Sequence, residues 1–80
     1  MDRPIPLNKL RAILAQYGVS EDRKRGKGSH TMFLKQFEDG TYTYPVLTNS
    51  KDVLAVYVKG SRKKFRLLPS DGVTDEEFYT

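Results

Sequence analysis

The 80-residue chain has no cysteine. That single absence excludes disulfides, thiolate nucleophiles and zinc sites of the cysteine type, and leaves core packing alone to hold the fold. There is one histidine, and the carboxylates are scattered without ligand spacing, so neither metal catalysis nor a hydrolytic triad is expected. No metal or other cofactor is expected on these grounds. No apolar run approaches the roughly 20 residues that a membrane-spanning helix needs. The opening Met1-Asp2-Arg3-Pro4 lacks the charged-then-apolar form of a signal peptide, so the expected location is cytoplasmic. Internal repeats and low-complexity segments are also missing. The run Arg25-Gly26-Lys27-Gly28-Ser29 is too short for the full spacing of a phosphate-binding P-loop. A chain of this length accommodates one domain with one core, and its 38% hydrophobic and 30% charged content is that of a globular protein.

What is present is positive charge, unevenly placed. All 14 Lys and Arg lie in residues 1 to 70 together with six of the 10 acids, so that stretch carries +8, whereas Asp71, Asp75, Glu76 and Glu77 give the last ten residues −4. A basic body of this kind suits a polyanionic partner, nucleic acid being the commonest, because each cation set against a phosphate releases counterions and adds sequence-independent affinity.

Apolar periodicity organises the rest. Leu7, Leu10, Ile13, Leu14 and Tyr17 recur at helical spacing, with Pro4 and Pro6 before them and Gly18 after, which predicts an amphipathic core helix over residues 7 to 17. Residues 19 to 29 are polar and basic with weak strand character. Thr31 to Phe37 and Thr41 to Val46 are aromatic and β-branched runs around Glu38-Asp39-Gly40, a hairpin signal. With Asp39 and Gly40 as the two turn residues, Phe37 faces Tyr42, Lys35 faces Tyr44 and Phe33 faces Val46. The period of two then sends His30, Met32, Leu34, Gln36 and Thr43 to the opposite, open face. Tyr42 and Tyr44 read as core rather than as base-stacking platforms. Met32 and Leu34, apolar on the open side, suggest a protein docking site.

Residues 50 to 65 read as a second helix capped by Ser50. Leu54, Tyr57, Val58 and Phe65 fall on one side, and Lys59, Arg62, Lys63 and Arg66 form a basic stripe that is either a phosphate-binding face or a solvated one. Gly60 weakens this helix. Thr74-Asp75-Glu76-Glu77 has the form of a capping box, placing a helical turn with Phe78 and Tyr79 at the end.

The chemistry concentrates at Arg23, Lys24, Arg25, Lys27, Ser29 and His30, where four cations precede the only imidazole. RNA carries its own nucleophile in the 2′-hydroxyl, so cleavage needs only a proton acceptor, a proton donor and stabilisation of phosphoryl charge. One histidine, with an unperturbed pKa of roughly 6.5, can serve as acid or base and contribute about 10²- to 10⁴-fold. Arg25 or Lys27 can steady the phosphate, as can backbone N–H groups at Gly28 and Ser29.

The run Gly26-Lys27-Gly28-Ser29-His30-Thr31-Met32-Phe33 resembles the signature of the HicA toxins, a lysine-glycine-serine-histidine stretch followed by an aromatic residue. The likeness extends over about residues 5 to 68, through the first helix, the basic approach, the Tyr42-Thr43-Tyr44-Pro45-Val46 segment and the second helix. It implies an α+β fold of the double-stranded-RNA-binding-domain (dsRBD) type. In that α-β-β-β-α order, a three-stranded antiparallel sheet carries two helices on one face; here a short extra C-terminal helical turn is added. The whole of 1 to 80 is then one domain, with residues 69 to 80 as an acidic extension. The resemblance further implies a metal-independent endoribonuclease cleaving mRNA, His30 as its catalytic residue with Gly28 and Ser29 shaping the loop before it, and a HicB-type antitoxin protein as partner in a toxin-antitoxin system. The chain departs from the family in a polar first strand and in Val53 to Val58 with Gly60. Two alternatives use the same residues: a non-catalytic RNA-binding module of dsRBD type, and a basic protein-interaction module.

Overall fold

The structure is a computed structural model that describes residues 1 to 22, 30 to 48 and 51 to 80. Strand β1 (Ile5–Pro6) leads directly into helix α1 (Leu7–Gln16), followed by β2 (Ser20–Asp22), β3 (His30–Phe37), β4 (Gly40–Leu47), β5 (Asp52–Val53) and helix α2 (Ala55–Lys64). A 3₁₀ turn at Pro69–Asp71 and helix α3 (Asp75–Tyr79) complete the order. The fold is α+β: β2, β3 and β4 form a three-stranded antiparallel sheet with β3 central.

Helix α1 forms where the periodicity predicts it. Leu10, Ile13 and Leu14 are buried on its inner face, and truncating one such leucine to alanine costs about 2–5 kcal/mol. The helix stops because Gly18 takes φ +80°, a left-handed conformation that glycine adopts without steric cost. The Gly18 and Val19 N–H groups then donate to the Ala15 and Leu14 carbonyls at 3.1 and 3.0 Å, and buried Val19 joins Leu14 in the core. This is the Schellman arrangement, with its accompanying hydrophobic contact.

The hairpin forms, with its register displaced by two residues from the sequence reading. Phe37 pairs with Gly40, Lys35 with Tyr42, Phe33 with Tyr44 and Thr31 with Val46. The turn is therefore Glu38-Asp39, and Gly40 opens β4 with φ +137°, so the positive φ falls on the residue after the turn. Because the displacement is even, every side chain keeps its expected face. Thr31, Phe33 and Val46 are buried, while His30 and Gln36 are exposed. The displaced register sets Phe37 and Tyr42 diagonally across the strands, ring centroids 4.8 Å apart, a spacing favourable for aromatic pairs. Pro45, which has no N–H to donate, lies in β4 at the sheet edge, where proline is tolerated.

The second helix is shorter than expected. It begins at Ala55, with Leu54 as N-cap and no side-chain cap, because Val53 is drawn into a two-stranded pairing with Ile5 that the sequence did not reveal. Both residues are buried. Leu54, expected on the inner side, is exposed. Ser50, the expected cap, lies outside the described residues. α2 also ends in a Schellman arrangement. The Leu67 N–H donates to the Arg62 carbonyl at 2.7 Å and the Arg66 N–H to Lys63 at 3.4 Å, with Arg66 in the left-handed position at φ +59°.

The C-terminal turn behaves as its capping box predicts. The Thr74 hydroxyl accepts from the Glu77 N–H at 3.1 Å, and the Glu77 carboxylate accepts from the Thr74 N–H at 3.4 Å. Phe78 and Tyr79 are buried in the main core. Residues 69 to 80 therefore supply part of the packing that closes the domain.

Candidate nucleic-acid interface

His30 is the first residue of β3 and pairs with Leu47. It is exposed, because its neighbour Thr31 turns inward and strand alternation sends His30 out to the face opposite Phe33. The inward neighbour is firmly held. The Thr31 hydroxyl donates to Glu21 at 2.6 Å, and the Arg11 guanidinium donates to the same carboxylate at 2.5 and 3.2 Å. Helix α1, β2 and the start of β3 are thus joined on the inner face of the sheet, one residue along the chain from His30. Asp22 pairs with Met32 across β2 and β3, which puts it on the same open face as His30. Met32, Leu34 and Leu47 are half-buried there and Pro45 is exposed.

Arg25, Lys27, Gly28 and Ser29, the expected phosphate contacts, lie outside the described residues, as do Arg23 and Lys24. Among the described residues no group of three or more His, Cys, Asp or Glu is placed to hold a metal ion, and no helix is long and apolar enough to cross a membrane.

The expected stripe on α2 does not exist as one surface. Arg62 is 1% exposed, and the phosphate-binding role expected of it is corrected on that ground. Its Nε donates to the Leu67 carbonyl at 2.9 Å, Nη1 to Asp2 at 2.8 Å and Asp75 at 2.7 Å, and Nη2 to the Val73 carbonyl at 3.1 Å. Its guanidinium also lies 4.5 Å from the Phe78 ring centre, with Tyr17 stacked beyond Phe78 at 6.3 Å. This arginine ties both chain ends to α2. A buried charge is tolerable only when paired and hydrogen-bonded in this way. Lys59 is exposed on a different side, beside Met1, Asp2, Ala55 and Val56.

Lys63 belongs to a separate assembly. Together with Lys64, Arg66, Tyr42, Tyr44 and Gly60 it lines an open groove of about 390 Å³ between the end of α2 and the hairpin. The floor exists because Gly60 has no side chain: a Cβ there would lie 1.8 Å from the Tyr44 hydroxyl oxygen and 2.4 Å from Cζ. At the rim, the Arg66 guanidinium lies 4.6 Å from the Phe37 ring centre and 5.2 Å from that of Tyr42, and donates to the Tyr42 hydroxyl at 3.0 Å. The Lys64 ammonium is 5.5 Å from the Tyr42 ring centre. The Tyr42 hydroxyl donates to Asp39 at 2.6 Å. That bond raises the tyrosine pKa and lowers the aspartate pKa, while desolvation raises that of Tyr44. Both tyrosines stay neutral at physiological pH.

The assignment of Tyr42 and Tyr44 to the core holds, since both are half-buried and pack against it. What the sequence separates is Lys63 from Lys64, and it does not show that these rings also line a groove with both lysines. The available signal was Gly60 itself, a glycine inside a helical pattern, which points to close approach by another group. Compared with known protein families, characterised proteins and solved structures, the chain matches none.

Proposed function

We propose that this protein is a metal-independent endoribonuclease that cleaves mRNA through His30 and acts as the toxin of a toxin-antitoxin pair, with an antitoxin of the HicB type as its partner. The observation that carries the reading is the exposure of the only imidazole at the head of the central strand, directly after the cationic run Arg23 to Lys27. The resemblance of Gly26 to Phe33 to the HicA signature supports it. In the proposed reaction a base removes the proton of the 2′-hydroxyl, and that oxygen attacks the adjacent phosphorus. The bond to the 5′-oxygen breaks, and an acid returns a proton to the leaving oxygen. The products are a 2′,3′-cyclic phosphate and a 5′-hydroxyl. His30 supplies one of the two proton transfers, and Arg25, Lys27 and the Gly28 and Ser29 amides balance phosphoryl charge. A non-catalytic RNA-binding module is the second reading, favoured by Lys63, Lys64 and Arg66 gathering beside tyrosines on the face away from His30.

Wild type and His30→Ala expressed side by side separate these readings. Growth arrest and loss of bulk mRNA are expected from the wild type alone. Circular dichroism and thermal midpoint should match, because an exposed strand-end side chain contributes little to the core. Equal effects of the two proteins on growth and mRNA would remove His30 from the chemistry.

A further inference from the structure

We propose that the groove between the end of α2 and the β3–β4 hairpin is a binding site for single-stranded RNA. Lys63, Lys64 and Arg66 would hold the phosphates, and Tyr42 and Tyr44 would offer ring surface to a base. The inference rests on the reading of the protein as one that acts on RNA, and adds a binding surface remote from the reacting imidazole. Tyr42 pairs with Lys35, five residues along β3 from His30, a separation on the order of 17 Å at roughly 3.3 Å per residue. The groove lies on the helix-covered side of the sheet and His30 on the open side, so an RNA bound in both must pass around the hairpin.

Three features point to this ligand. The first is composition. Aromatic rings interleaved with cations are the recurrent solution for single strands, because every base has a π-face and every nucleotide a phosphate. The groove's 390 Å³ falls within the roughly 300–1,000 Å³ of small-ligand clefts.

The second is cationic charge that carboxylates leave largely uncompensated, although Lys64 and Arg66 also rest against the groove's rings. Among the described residues neither Lys63 nor Lys64 has a carboxylate partner, and Arg66 has only Asp39 at 3.5 Å, both side chains more than half exposed. The third is a combination that the helix alone does not explain. The α2 macrodipole favours lysines in its last turn, but it accounts neither for Gly60, which admits the Tyr44 ring, nor for Arg66. The latter occupies a left-handed position where a β-carbon costs about 1–2 kcal/mol.

The test uses a fluorescein-labelled ten-nucleotide oligouridine titrated at several salt concentrations into the full chain carrying His30→Ala, so that the probe survives. The same protein with Lys63→Gln and Lys64→Gln added is expected to bind at least tenfold more weakly. Its salt slope should fall by about 1.4, at roughly 0.7 for each single-strand phosphate that is no longer neutralised. Amide resonances of Gly60, Lys63 and Lys64 should shift on adding the oligonucleotide to the His30→Ala protein. Circular dichroism on each variant verifies folding, which exposed lysines should not disturb.

Unchanged affinity and slope in the lysine variant would overturn the proposal, as would complete absence of binding to the oligonucleotide at low salt. Shifts of the groove amides produced by polyglutamate but not by the oligonucleotide would also overturn it, in favour of an acidic protein partner. The catalytic reading stands or falls separately, on cleavage by proteins with and without His30. Loss of groove binding with no His30-dependent cleavage would leave the site in place and remove the nuclease.

Discussion

Gly60 stands inside α2, where glycine costs about 1 kcal/mol relative to alanine, so propensity alone recommends Gly60→Ala. Packing reverses the sign. The added Cβ would sit 1.8 Å from the Tyr44 hydroxyl oxygen and 3.1 Å from Cε1, and a rigid ring can clear that contact only by moving strand β4 or leaving its rotamer. Such overpacking costs about 1–3 kcal/mol, which outweighs the propensity gain. Chemical denaturation is expected to show Gly60→Ala destabilised in the wild-type background and neutral or stabilised in a Tyr44→Ala background. A difference of at least 1 kcal/mol between the two backgrounds, about the lower end of the clash cost, is the expected coupling. Additive single effects would show that the ring is not what excludes a side chain at residue 60.

At the scale of elements, the two helix ends solve one problem with different residues. α1 ends on Gly18 at φ +80°, and α2 ends on Arg66 at φ +59°. Arg66→Gly would relieve a left-handed conformation worth about 1–2 kcal/mol and remove cation–π interactions with Phe37 and Tyr42 worth about 0.5–1 kcal/mol at an exposed site. The exposed hydrogen bond to the Tyr42 hydroxyl and the pair with Asp39 are lost as well, each worth little at the surface. Gains and losses nearly balance, so the glycine variant should lie close to wild type. Arg66→Ala keeps the strain, gives up the ring interactions and should be less stable than either. Thermal unfolding of the three proteins checks the order, and a glycine variant below the alanine variant would refute it.

These elements also show where a sequence is legible. α1, the hairpin faces and the Thr74 capping box follow from patterns local to a few residues. The hairpin register does not, because Asp39-Gly40 and Glu38-Asp39 turns differ by two residues in register and preserve the same faces. The start of α2 depends on Ile5 pairing with Val53, which lies more than half the chain away. Arg62 faces inward because Asp2 and Asp75, 60 and 13 residues distant, meet it there. Helical spacing could group Arg62 with Lys63 and Arg66, but it could not reveal acids arriving from both termini. For the candidate site, the exposure of His30 was readable from strand alternation. The groove was not, since it needs Tyr44 and Gly60 to meet across two elements.

For the molecule as a whole, the joining of its two ends is the feature most open to measurement. Arg62 holds Asp2 and Asp75, the Tyr79 hydroxyl donates to Asp2 at 2.7 Å, and the N-terminal ammonium of Met1 contacts Asp75. The Asp75 pKa is lowered from 3.8 to about 2, first by the hydrogen bond from the N-terminal ammonium and then by that from Arg62. A carboxyl whose folded pKa lies below its unfolded value stabilises the fold above the unfolded value. That contribution is lost as pH falls through the folded one. For Asp75 the window runs from 3.8 down to about 2, so stability should decline across it as the folded protein takes up a proton later than the unfolded chain does. Asp75→Asn is expected to be less stable than wild type at pH 6 and to show a shallower decline between pH 4 and pH 2. Acetylation of the N-terminus should move the wild-type curve in the same direction by removing the first of the two causes. Urea unfolding at intervals through that range measures both effects. Parallel curves for wild type and Asp75→Asn would mean that the ion pairs of Asp75 with Arg62 and the N-terminal ammonium contribute nothing to holding the C-terminal turn against the core.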